Sequence, residues 1–156
     1  MKNQDCKIAL KGGLLIDGTG AKPIENSLIL IENKKIVYAD IMQEISNDYK
    51  TIDVTGKTVM PGLIDAHLHF SGNLSDNDTE WVLEPNTQKA IVASIQAKEC
   101  LDSGLTTVGE ISRFGITVRD MINEGLIEGP RVVASGVGFC ATASHGDSHH
   151  CTRKQN

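Results

Sequence analysis

The chain has 156 residues, of which 40% are hydrophobic and 22% charged, with a formal net charge of −5. Such values describe a soluble globular chain with room for one domain or two small ones. The acidic balance excludes a dedicated nucleic-acid binder, which carries a basic excess, and 4% aromatics leave no stacking platform for bases or sugars. No run approaches the ~20 apolar residues of a membrane span, and the opening Met1–Lys7 lacks an apolar signal core. Cys6, Cys100, Cys140 and Cys151 are scattered with no CxxC and read as reduced thiols. The expectation is a cytoplasmic protein with neither a membrane nor a nucleic-acid partner.

Residues 7–16 are apolar around Gly12-Gly13. Residues 27–32 form an apolar run that the turn Asn33-Lys34 joins to a strand over 35–41, the pattern of a hairpin. Residues 51–60 hold two short β runs split by Gly56-Lys57. After Pro61-Gly62 the rhythm changes. A short buried strand over 63–69 leads into a polar, irregular stretch over 70–85. A helix is predicted over 86–103, with Ile91, Ile95 and Leu101 near helical spacing, Asn86 as N-cap and Gly104 as the residue after the C-cap. A strand follows at 105–108, then a helix over 117–127 ended by Gly129-Pro130, then a strand over 131–135. Strand, helix, strand, helix, strand means right-handed βαβ units and a parallel sheet, either open or part of a barrel. A closed (β/α)8 barrel takes about 250 residues. Residues 61–156 hold about three units at ~30 residues each, and the polar, aperiodic residues 148–156 read as a truncated end.

Asp65-Ala66-His67-Leu68-His69 is the strongest chemical signal. Alternate strand residues share a face at about 3.3 Å per residue, so His67 and His69 project together. Two imidazoles so placed can tilt onto one zinc ion at about 2.0–2.1 Å. Asp65 falls on the same alternation one step deeper, where it could orient a ligand from behind. The plain alternative is two strand-end histidines that only hydrogen-bond. His145, His149, His150 and Cys151 could add ligands, although a polar tail accounts for the last three. Cys140 follows an apolar strand and reads as packed, and Asp76, Asp78 and Glu80 read as a solvated acidic loop. Asp17-Gly18-Thr19-Gly20 is a turn without the Lys-Ser/Thr of a phosphate loop, and no GxGxxG is present.

The run Val59–His69 closely resembles the first barrel strand of the amidohydrolase superfamily. Leu14–Gly20 is similar to that family's opening sandwich strand and turn, and Gly104–Val108 to its second barrel strand. Ile127–Val132 and Ser144–Asp147 resemble its imidazolonepropionase-like and prolidase-like branch. The resemblance implies an α/β fold: an incomplete (β/α)8 TIM barrel, about its first three βα units, over residues 61–156, preceded over residues 1–60 by part of a small composite β-sandwich. It implies one or two divalent metals, usually zinc, activating water for attack on a small-molecule amide, a cyclic amide or a dipeptide. His67 and His69 match the first two metal ligands, Asp65 supports them, and His145 lines the substrate mouth. The family's later ligands and its aspartate general base lie on strands with no counterpart here, and Gly109-Glu110 stands where members often carry Arg-Asp. No residue of the chain is therefore assigned a catalytic role. The chain is expected to be a truncated hydrolase, inactive alone. The alternatives are a non-catalytic remnant or an assembly module completed by a separate C-terminal half, and homo-oligomerisation stays open.

Overall fold

A computed structural model describes residues 6–70, 83–142 and 144. The chain divides into two compact units, residues 1–61 and 62–156.

The first unit is built from β1 (Lys7–Lys11), β2 (Leu14–Leu15), β3 (Ser27–Glu32), β4 (Lys35–Ile41), β5 (Lys50–Asp53) and β6 (Thr58–Val59). One sheet has the order β4-β3-β1-β5, antiparallel except at the β1–β5 pair, and β2 pairs with β6 in parallel. The apolar run over 7–16 is cut into two strands at Gly12, whose φ of 89° is left-handed. A Cβ there would fall 2.4 Å from the Thr55 hydroxyl oxygen. Asn33 and Lys34 have φ of 48° and 68°, and a two-residue hairpin turn whose twist matches its strands needs both central residues in that region. Ala9, Leu28 and Leu30 are buried, with Tyr38, Met42, Ile45 and Tyr49 packed against them.

The second unit is a βαβαβ run: β7 (Leu63–Leu68), α1 (Asn86–Asp102), β8 (Leu105–Glu110), α2 (Gly115–Asn123) and β9 (Arg131–Ala134). Its sheet has the order β7-β8-β9, all parallel, so the molecule is mixed α/β as expected. Val108, Val132, Ala93, Ala97, Val118 and Phe70 form its buried core. Each large apolar side chain so buried contributes about 1.5–3 kcal/mol.

Four local expectations are corrected. Asn86 is the first residue of α1, not its cap; Pro85, at φ −60° and ψ 138°, already holds the extended cap conformation. The buried row of α1 is Lys89, Ala93 and Ala97, while Ile91 and Ile95 are 63% and 53% exposed. Alanine rather than isoleucine faces inward at the C-terminal part of this row because the chain comes close there: a Cβ on Gly129 would lie 3.2 Å from that of Ala97. Helix α2 stops well before Gly129-Pro130. Gly125, with φ of 73°, donates its N–H to the Ile122 carbonyl and Leu126 donates to Met121, the paired bonds that close a helix through a left-handed residue. Gly104 ends α1 as expected, with φ of 93° and its N–H on the Leu101 carbonyl. Cys140, expected to be packed, is exposed, because the chain has left the sheet beyond β9. No helix among the described residues is long and apolar enough to cross a membrane.

Candidate metal centre

The two histidines lie at the C-terminal exit of β7. Along β7 and β8 the pairing slips twice. Leu63 faces Leu105 but Ile64 faces Thr107, which leaves Thr106 extra; Asp65 faces Val108 but Leu68 faces Glu110, which leaves one residue of β7 extra. The second slip lies under the site. Extra residues of this kind bend a strand and re-aim its side chains, and they recur beside active sites. Gly109 makes room for it, since a Cβ there would fall 2.6 Å from the Ala66 carbonyl oxygen.

The slip changes the place of Asp65. A regular strand would put it on the face of His67 and His69. Instead Asp65 is paired with the buried Val108, and its charge, together with Glu99, adds to the effect of burial in pushing the Cys100 thiol above its ordinary pKa. Its Oδ1 accepts the His67 backbone N–H at 2.9 Å. Asp65 therefore holds the main chain of a candidate ligand, not its imidazole.

The rings of His67 and His69 meet edge to face, with centroids 4.9 Å apart and planes at 89°. His69 Nδ1 lies 2.7 Å from the Ile111 carbonyl oxygen. A carbonyl only accepts, so Nδ1 is the donor, and in the neutral ring this leaves the lone pair on Nε2. That is the arrangement in which a ligating histidine is oriented by a partner behind it. Both histidines are exposed. The donor set fits a divalent metal of the zinc type, for which imidazole is a suitable ligand. Two imidazoles do not complete a zinc site, and among the described residues no third His, Cys, Asp or Glu joins them. His145, His149, His150, Cys151, Asp76, Asp78 and Glu80 lie outside the described residues.

One residue of the site stood out in the sequence only as a departure from the family's Arg-Asp. Glu110, at the end of β8, is 0% exposed. Its Oε1 accepts the Phe70 N–H at 2.9 Å and its Oε2 the Ser112 N–H at 3.1 Å. The available signal was an acid at the end of a parallel strand, five residues before a glycine that opens the next helix.

The model of the amidohydrolase family matches residues 58–155. The chain belongs to the amidohydrolase family. Ochratoxinase from Aspergillus niger is 33% identical over 141 residues, which are 86% of this chain and 29% of that protein. The crystal structure of A. niger ochratoxinase superposes with a TM-score of 0.82 at 27% identity, over 97% of this chain and 36% of that one. The crystal structure of a Xaa-Pro dipeptidase with bound methionine in the active site gives a TM-score of 0.83 at 31% identity, over 95% of this chain and 37% of that one. Imidazolonepropionase from Thermoplasma volcanium is 50% identical over 54 residues, 33% of this chain and 13% of that protein. This amidohydrolase chain thus spans well under half the length of the relatives it matches.

Proposed function

We propose that this chain contributes the first two metal ligands, His67 and His69, to a metal-dependent amidohydrolase that cleaves a carbon–nitrogen bond of a small amide, cyclic amide or dipeptide. The observation that carries the reading is the His69 ring: its Nδ1 is committed to the Ile111 carbonyl, and among the described residues its Nε2 has no hydrogen-bond partner beside His67. The exit end of a parallel strand is also where a (β/α)8 barrel, here its first βα units, builds its active site. The names dipeptidase and imidazolonepropionase among the relatives support linear and cyclic amides as the substrate class. Residues 1–60 belong, in this reading, to part of a composite β-sandwich.

His67 and His69 would hold a divalent metal of the zinc type, which would supply Lewis-acid activation of water near neutral pH. The chain's own residues do the positioning. Ile111 fixes the proton on His69 Nδ1, Asp65 pins the His67 backbone, and Glu110 anchors the turn that carries Ile111. His145 is assigned to the substrate mouth. The remaining ligands and a general base must join these two histidines, so the 156-residue chain alone binds metal weakly and hydrolyses nothing.

Calorimetric titration of the purified chain with zinc tests the reading. One weak site, lost in His67→Ala and in His69→Ala, is the expected result. Zinc uptake indifferent to both substitutions would refute the ligand assignment. Metal-dependent amide turnover by the chain alone would refute its inactivity.

The second reading, a module that works with a separate C-terminal half, is favoured by the exposed apolar residues of the sheet. Leu63, Ile64 and Val133 are 51%, 72% and 64% exposed.

A further inference from the structure

We propose that Glu110 is a positioning residue of the metal centre: its buried carboxylate decides which nitrogen of His69 carries the proton. The proposal rests on the reading above for its use in catalysis, but it can be tested without any metal.

Glu110 spans the contact that matters. Phe70, whose N–H it accepts, follows His69; Ser112, whose N–H it also accepts, follows Ile111, the carbonyl partner of the His69 ring. One carboxylate thus grips the main chain on both sides of the His69–Ile111 bond. The neighbouring bonds act in the same direction. Ile111 N–H donates to the Leu68 carbonyl at 3.1 Å, the Ser112 hydroxyl to the Phe70 carbonyl at 3.1 Å, and Ser135 N–H to the Glu110 carbonyl at 3.0 Å. The Ile111 carbonyl therefore has little freedom to turn away from His69.

Only an acid of this length does the task. A glutamine has one acceptor oxygen, and its NH2 would face one of the two N–H groups. A buried carboxylate is tolerated only when its oxygens are satisfied. Here two backbone N–H groups satisfy them, and the start of α2 adds the positive end of a helix dipole. Space for it is reserved: a Cβ on Gly115 would lie 1.5 Å from Glu110 Oε2. An acid kept only for stability would need none of the alignment with residues 69 and 111.

The test is a ring-nitrogen NMR spectrum of the metal-free chain, recorded above the imidazole titration range, with urea unfolding of the same samples. In the wild type, His69 is expected as the Nδ1–H tautomer, opposite to the preference of the free histidine side chain. In Glu110→Gln it should revert towards Nε2–H while His67 stays unchanged. Gly115→Ala, which displaces the carboxylate from the other side, should shift His69 in the same sense and serves if Glu110→Gln does not fold. A folded Glu110→Gln that loses stability but keeps the Nδ1–H tautomer would make Glu110 a purely structural acid and overturn the proposal. So would a wild-type His69 protonated on Nε2. Cobalt titration then separates the two readings. A loss of affinity of about 10-fold to 100-fold in Glu110→Gln is the scale expected for a residue behind a ligand. Absence of cobalt binding in the wild type would remove the metal centre while leaving the tautomer result to stand or fall by itself.

Discussion

Near its entry and near its exit, the β7–β8 pair slips by one residue, and the two slips are held differently. At the entry Thr106 is the extra residue and Gly62 stands against it, since a Cβ there would lie 2.1 Å from the Thr106 hydroxyl oxygen. The rest is a backbone bond, Leu63 N–H to the Gly104 carbonyl at 2.9 Å. At the exit the extra residue belongs to β7, Gly109 stands against it, and side chains do the holding: Asp65 on the His67 N–H, and Glu110 on Phe70 and Ser112. A slip in register needs only a glycine opposite it. A slip that aims two imidazoles also needs its main chain anchored by charged acceptors, and that difference marks the exit as the working end.

The sharpest way to break the contrast is Glu110→Ala. It strands the buried Phe70 N–H and the half-buried Ser112 N–H, and a buried group left without a partner costs about 1–3 kcal/mol, so urea unfolding should show a loss of roughly 3 kcal/mol. Next come the two glycines. Gly62→Ala and Gly109→Ala should each destabilise by about 1–3 kcal/mol through overpacking, yet only Gly109→Ala should move the ring resonances of His67 and His69. Asp65→Ala should lose about 1 kcal/mol for one hydrogen bond, whereas Asp65→Asn, which keeps the Oδ1 acceptor, should stay near the wild type in the same unfolding assay.

The smallest effect concerns pH. Burial first, and then the Asp65 and Glu99 carboxylates, raise the Cys100 thiol, so the folded chain keeps a proton that the unfolded chain releases. That contribution is whole at neutral pH, fades as pH rises past about 8.5, where a free thiol ionises, and is gone above the folded value. Iodoacetamide should therefore label Cys100 more slowly than the exposed Cys6, and Asp65→Asn should speed the Cys100 reaction.

Local signals were readable in the sequence and pairwise ones were not. The β3–β4 hairpin followed from Asn33-Lys34 between two apolar runs, and the β7–α1–β8–α2–β9 order from hydrophobic period and from Gly104. His67 and His69 stood out by spacing alone. The inner face of α1 did not, because the choice between its isoleucines and its alanines depends on how near the helix comes to its neighbours. The face taken by Asp65 was misread because its register depends on Gly109, which is distant in the chain. The role of Glu110 was not legible, because its partners are backbone groups of two separate turns, and backbone groups leave no mark in a sequence. Gly125 was the nearer stop for α2, overlooked beside the louder Gly129-Pro130.

Counted along the chain, Asp65, His67 and His69 have the rhythm of a single surface, and the extra residue in β7 divides them into two. The phase of the strand is therefore set by length and not by residue type. A chain lacking Ala66 would lose the extra residue and still hold Asp65 on one face and both histidines on the other. The extra residue therefore serves the aim of the two imidazoles and not their choice of face.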